Sequence, residues 1–398
     1  MHWLEELLAL HAVSMVLSSL ALGLLGGLLV KIRYVKHERL RDLRSGLNEP
    51  VLVPKSVEEF SETMIGYGDL LEPKFKGSRD VFFVTDRAPA GDNAFSAVQN
   101  EEETLHYGRA WVTFPHSHKR GEIERPWKAW GIHFAENSEK HIVIARRTSL
   151  AEEIFYQDVN GEIDDSPEKS AFVFVHGFNV SFDDALLRAG QLAFDLHYQG
   201  PAVVYSWPSA GAGSKYVSDL DMADWSAPHL TKFLLELRAR TGVRTVHLVA
   251  HSMGSKVLGM ALERIANGKV ESSRFQELVL AAPDIHNSVL EQMAVSMHQT
   301  TDRVTLYASD RDHALGASSA LRGGTPRAGK NPIDLPGMLG FDIIDATRAH
   351  TLSILNHGHF AEDTVLLNDL ALLLKERLPP NRRSITLEPL GDLWVFVP

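Results

Sequence analysis

From residue 171 onward, short apolar runs alternate with longer stretches of helical period. Ala171–Val175 is a continuous apolar run, the pattern of a strand buried on both faces. Helical spacing follows over 182–198. Ala202–Tyr205, Val246–Val249, Leu278–Leu280, Val304–Tyr307 and Phe341–Ile344 repeat the strand pattern. Between them, 226–240 sets Leu230, Phe233, Leu234 and Leu237 on one helical face, and 253–267 and 286–298 also read as helices. A Leu-rich helix over 360–376 stops at Pro379-Pro380. This alternation predicts a mostly parallel sheet with helices on both faces. Val81–Thr85, Tyr107–Phe114 and His141–Ala145 predict three earlier strands, with a polar loop over 86–104 and a charged surface stretch over 116–128. The tail 381–398 ends in Leu393–Val397, which fits either an added edge strand or a docking segment.

The N-terminus follows a different pattern. Leu7–Val30 contains no Asp, Glu, Lys or Arg. A helix of that length reaches about 36 Å, enough for a hydrocarbon core of about 30 Å. Lys31, Arg33, Lys36, Arg39, Arg41 and Arg44 follow it, and Glu5 and Glu6 precede it. This predicts a single-pass membrane helix with the N-terminus outside and the remainder in the cytoplasm. The alternative is a signal peptide cleaved near Ser19-Leu20-Ala21, which would leave the protein periplasmic or secreted. The acidic start and the continuation of the apolar run past Ala21 weigh against it. A buried helix of a soluble domain is a third reading. The chain then divides into an anchor with its basic flank (1–44), a linker with a short helix near Val57–Ile65 (45–78), the main α/β domain (79–378) and the tail (379–398).

Charge and composition narrow the chemistry. The 398 residues carry 51 acids against 40 bases, a net charge of −11, the wrong sign for a surface that binds phosphate backbones. Nucleic acid is therefore not an expected partner. There is no cysteine, so disulfides, thiolate nucleophiles and thiolate metal sites are excluded together. His116-Ser117-His118, His357-Gly358-His359 and Asp310–His313 lack the H-E-x-x-H spacing of a metal helix. Gly211-Ala212-Gly213 lacks the third glycine and the helix start of a dinucleotide loop. Neither a metal nor a cofactor is expected.

What remains is a nucleophile built from a hydroxyl. Val249-Ala250-His251-Ser252-Met253-Gly254 lies between a strand and a helix, where a tight turn lifts a serine Oγ above the sheet. The residues two before and two after the serine must be small, because strand and helix nearly touch there. Ala250 stands where glycine is usual. Upstream, His176-Gly177-Phe178-Asn179 ends the strand over 171–175. A tetrahedral oxyanion needs two fixed N–H donors, and the backbone amides of Phe178 and Met253 are the expected pair, with His176 bracing the loop. A serine hydroxyl also needs a base. Of 19 histidines, His357 and His359 lie after the last predicted strand of the domain and before its last helix, where the base belongs. His357 is preferred. The acid belongs after the strand over 304–307, where Asp312 is preferred and Asp310 comes second. Asp284, after the preceding strand, is third. A helix cap or a solvated charge is the ordinary role for an aspartate in such loops.

Together these stretches resemble a known family, the bacterial α/β hydrolases of unknown function designated DUF900. The matching segments are Val81–Arg87, Tyr107–Pro115, Phe174–Asp183, Tyr205–Gly211, His247–Gly254, Leu278–Ile285, Tyr307–Leu315 and the region of His357, within about residues 80–375. The resemblance implies an α/β-hydrolase fold and a Ser–Asp–His hydrolase. It supports Asp312, which precedes an Ala-Leu pair, and His357, with Phe360 as the motif's phenylalanine. Asn356 and His359 depart from that motif. The expected reaction is hydrolysis of carboxylic esters, with a lipid or other small ester as substrate near the membrane. The same machinery serves an acyltransferase, and a catalytically idle scaffold on this fold is the non-enzymatic alternative.

Overall fold

The computed structural model describes residues 75–398 apart from 127, 130–131, 134, 211–214, 269–273, 336–339, 349–362, 384–386 and 397–398. Leu7–Val30 and the helix expected near Val57–Ile65 lie outside the described residues, as do His357 and His359. Among the described residues no helix is long and apolar enough to cross a membrane.

Eleven strands of the described residues form one sheet. In chain order they are β1 (Gly77–Thr85), β2 (His106–Phe114), β3 (Val143–Leu150), β4 (Ser170–Val175), β5 (Ala202–Ser206), β6 (Thr245–His251), β7 (Phe275–Ala281), β8 (Thr301–Ala308), β9 (Asp342–Asp345), β10 (Leu387–Leu390) and β11 (Leu393–Phe396). Their order across the sheet is β10-β11-β9-β8-β7-β6-β4-β5-β1-β2-β3. The strands from β11 to β1 in that order pair in parallel. Antiparallel pairs close the two edges.

The helices are α1 (Glu152–Asp165), α2 (Phe182–Asp195), α3 (Tyr216–Arg240), α4 (Gly254–Asn267), α5 (Asn287–Thr300), α6 (His313–Leu321), α7 (Thr364–Glu376) and the short α8 (Pro380–Arg383). Alternate residues of the central strands feed two cores. Val173, Val175, Leu248 and Ala250 pack with α1, α3, α4 and α5 on one face. Phe172, Phe174 and Val249 pack with α2 and α7 on the other. Strands buried on both sides read as unbroken apolar runs for this reason.

The chain leaves β4 for β5 on one side, then returns past β4 to place β6 on the other. Loops diverge at that reversal and open a crevice at the carboxyl ends of β4 and β6, the usual ligand position in an open α/β sheet. Both expected motifs, 176–179 and 250–254, leave the sheet there.

Several elements differ from the sequence reading. The third strand runs Val143–Leu150, not 141–145, because an edge strand carrying Arg146, Arg147 and Thr148 has no apolar run to mark it. The stretch over 86–104 contains a small hairpin of Arg87–Pro89 and Phe95–Gln99. Helix α1 was not anticipated, although Phe155, Tyr156, Val159 and Ile163 form its buried face. Helix α3 begins ten residues before 226 and includes Pro228. The tail forms β10 and β11, and β11 pairs with β9, so it extends the sheet.

Candidate active site

Ser252 stands directly after β6 with φ +52°, a left-handed backbone that costs a residue with a β-carbon about 1–3 kcal/mol. Neighbours hold it there. Its N–H donates to Ala281 O at 2.9 Å, and its carbonyl accepts from Ser255 N at 3.0 Å and Asp284 N at 3.2 Å. Its strain is the geometry that turns a strand sharply into a helix and points the side chain off the sheet end. Helix α4 starts two residues later without a side-chain cap at Met253, so its amide ends and positive dipole serve the crevice.

The small-residue rule has visible causes. A β-carbon on Gly254 would lie 2.3 Å from His176 O and 2.6 Å from Val175 O, both backbone atoms. A β-carbon on Gly177 would lie 2.9 Å from Ser252 Cβ and 3.1 Å from His251 O. The loop after β4 is thus packed directly on the elbow, with Phe178 next in line. Phe178 is partly buried and sets its ring edge-on to Tyr216, 5.1 Å between centroids. Met253 is fully buried in the core under α3 and α4. Ala250 is also buried in β6, where its methyl is accommodated.

The three candidate acids occupy different environments. Asp312 is buried at the carboxyl end of β8, where it caps α6. Its Oδ1 accepts from Leu315 N at 2.8 Å. A carboxylate has two oxygens, so a cap and an imidazole partner are compatible. Asp310 is exposed, and its backbone N–H donates to Thr347 Oγ1. Asp284 is buried with both oxygens engaged. Tyr216 Oη donates to Oδ2 at 2.6 Å, Ser318 Oγ donates to Oδ1 at 2.7 Å, and Arg327 Nε lies 3.6 Å from Oδ1. Asp284 therefore ties α3, α6 and the loop after β7 together beneath the elbow. Ser252, Met253 and the 176–179 loop meet at one point, and Asp312 leaves the same end of the sheet two strands away.

Two buried polar residues complete the loop's support. His176 Nδ1 lies 2.8 Å from Gly177 O, so it carries the proton, and Nε2 accepts. Burial and the Arg87 guanidinium push its pKa down to about 3, which keeps the ring neutral. Its ring stacks on Trp207, whose Nε1–H donates to His176 O at 2.7 Å. Sequence reasoning anticipated a bracing role for His176 but missed Arg87. The available signal was an arginine at the end of the apolar run Val81–Thr85.

Beside the loop lies a cavity of about 280 Å³. Phe174, Val180, Leu187 and Ile123 supply apolar lining, and His251 and Gly177 border it. Among the described residues no cluster of His, Asp or Glu is arranged to hold a metal.

Sheet order, the elbow and the loop packed on it define the class: an α/β hydrolase. The chain belongs to the family described as alpha/beta hydrolase of unknown function (DUF900), whose model matches residues 151–377. An uncharacterized protein of Nostoc sp. is 26% identical over 134 residues, 27% of this chain and 35% of that protein. The match thus spans about a third of that relative's length. Two solved structures of the esterase from Pyrobaculum calidifontis are also similar. The monoclinic form is 11% identical, with coverage of 84% of this chain and 97% of that one and a TM-score of 0.34. The other is 12% identical, with 86% and 97% covered and a TM-score of 0.33.

Proposed function

We propose that this hydrolase is a membrane-anchored esterase acting through Ser252, His357 and Asp312. The observation that carries this reading is the left-handed Ser252 between β6 and α4, pressed against the Gly177 loop. Ser252 Oγ attacks the ester carbonyl while His357 takes its proton. The tetrahedral oxyanion is held by the amides of Phe178 and Met253. Collapse expels the alcohol, which receives the proton from His357 and leaves an acyl-serine. Water, deprotonated by the same histidine, then releases the acid. Asp312 orients the imidazole and stabilises its charged form. His359 is the alternative base.

Two considerations support Asp312 over its rivals. It is buried, and it follows the strand after β7, at the carboxyl end of β8. Asp284 has both oxygens engaged by Tyr216, Ser318 and Arg327, and Asp310 faces solvent. The apolar cavity beside Gly177 and His251 supports an acyl group of modest length as the buried part of the substrate. Leu7–Val30 supports a membrane location with the hydrolase domain in the cytoplasm. A C-terminal reporter active only in the periplasm would contradict that orientation.

A series of p-nitrophenyl esters of increasing chain length, with phospholipids in parallel, tests the reaction. Wild type should turn over short and medium acyl esters, and Ser252→Ala should lose at least about 10³-fold in kcat. Equal turnover by Ser252→Ala would refute the assignment.

A further inference from the structure

Arg87 is 1% exposed, yet among the described residues every group that bonds its guanidinium is neutral. Its Nε donates to Ser206 Oγ at 2.9 Å. Its Nη1 donates to Ser96 O and Ser209 O, each at 3.1 Å. Its Nη2 donates to Val180 O at 2.9 Å and lies 3.4 Å from His176 Nε2. Asp86, Asp219 and Asp183 act on the charge through space, and burial still lowers its pKa to about 10. A buried cation without a bonded carboxylate is costly, so its placement calls for a reason.

The partners identify that reason. Ser96 belongs to the small hairpin, Ser206 and Ser209 to the end of β5 and the loop after it, and His176 and Val180 to the loop after β4. Arg87 itself opens the first strand of that hairpin, just past the end of β1. One planar fork therefore joins three segments, the hairpin, the β5 end with its loop and the β4 loop, at the carboxyl edge of the sheet. Val180 is held from both sides: its carbonyl by Arg87, and its N–H by Ser209 Oγ at 3.4 Å, which in turn donates to Asp219 at 2.6 Å. Between Val180 and Gly177, which packs on the elbow, stand only Phe178 and Asn179, and Asn179 has φ +60°. Exposed backbone in that conformation relaxes unless something fixes its ends.

We propose that Arg87 is the positioning residue of the oxyanion loop, fixing the Phe178 amide against Ser252 by clamping the Val180 carbonyl and the His176 ring. The inference rests on the reading of Phe178 as an oxyanion donor. Donor placement matters chiefly when charge has developed on the carbonyl oxygen, so the loss should fall on kcat and spare KM.

The test compares wild type, Arg87→Lys and Arg87→Met in the full chain. Hydrogen–deuterium exchange is read over residues 176–181 and over β6, and kinetics are read with a p-nitrophenyl ester. Arg87→Lys keeps the charge but loses the fork, so it separates geometry from electrostatics. Exchange over 176–181 should rise about tenfold in Arg87→Lys with β6 unchanged, and kcat should fall about tenfold or more with KM within about twofold. If Arg87→Met does not fold, Arg87→Lys alone decides. Unchanged exchange over 176–181 would overturn the proposal, as would wild-type kcat or a change confined to KM. The exchange readout needs no activity. Wild type that hydrolyses no ester would defeat the esterase reading, while the loop result still decides the role of Arg87.

Discussion

Glycine at 254 and at 177 is required by close neighbours, since the nearest atoms to an added methyl are the backbone carbonyls of Val175, His176 and His251, the His251 ring and Ser252 Cβ. Gly254→Ala should cost about 1–3 kcal/mol through overpacking, read as a lower urea midpoint, and should reduce turnover because the donor loop is pushed off the elbow. An unchanged midpoint would mean that strand and helix are not in contact there. At the acids, Asp312→Asn should lose at least about 10²-fold in kcat with its helix cap largely kept, because an asparagine oxygen still accepts from Leu315 N. Asp310→Asn should stay within about twofold. Asp284→Asn leaves buried Arg327 without its charge partner, so its signature should be lower stability in urea, with kcat falling only as structure is lost. Full activity in Asp312→Asn and its loss in Asp310→Asn would reverse the assignment.

The elements show what was legible in the chain and what was not. Central strands were readable because burial on both faces imposes unbroken apolar runs, and the elbow was readable because it lies between one such run and a clean helix. Helix α6 was not, since Gly316, Ser318 and Ser319 are weak helix formers and Asp312 supplies the start. Helix α3 was read only from 226, because Pro228 lacks an amide hydrogen and the turns before it expose Ser218, Asp221 and Asp224. Arg87 was hidden for another reason: its partners lie in three segments far apart in the chain, which no local pattern brings together.

The charged stretch over 116–128, read as surface, also holds a buried anchor. His118 meets Glu124 through Nδ1 at 3.0 Å and Asp195 at the end of α2 through Nε2 at 2.9 Å. Burial opposes its charge, but the hydrogen bonds and charges of Asp195 and Glu124 prevail and raise its pKa to about 9. A raised histidine contributes fully below its ordinary value of about 6.5, and that contribution is lost as pH rises through about 9. Both carboxyls are lowered, so their contribution is lost in acid instead. Urea midpoints should therefore fall from about pH 7 to about pH 10 in wild type and change less in His118→Gln. A wild-type midpoint that rises over that interval would contradict the pairing.

At the scale of the molecule, the C-terminal hairpin closes one end of the sheet. Strand β11 pairs with β9, and α8 sends Arg383 into the interior, 3.4 Å from Asp369 Oδ1. Tyr307 Oη donates to the other oxygen of Asp369 at 2.5 Å. Removing residues 384–398 would expose the edge of β9 and the apolar groups Leu387, Leu393 and Phe396 now cover. The truncated chain should melt several degrees lower and form concentration-dependent aggregates on sizing chromatography. A monomer with wild-type stability would show that the hairpin is dispensable. The hairpin lies at the far side of β9 from β6, so it supports the sheet without bordering the crevice at β4 and β6.

Ser252 acts as an activated nucleophile in this reading. The most direct measurement is peptide mapping by mass spectrometry after reaction with a fluorophosphonate, which phosphonylates such a serine with loss of fluoride, with Ser252→Ala treated identically. One adduct per chain on the peptide containing Ser252, absent from the Ser252→Ala protein, is the expected result. Wild type that stays unmodified while a known serine hydrolase reacts in the same tube, or an adduct that persists in Ser252→Ala, would contradict it.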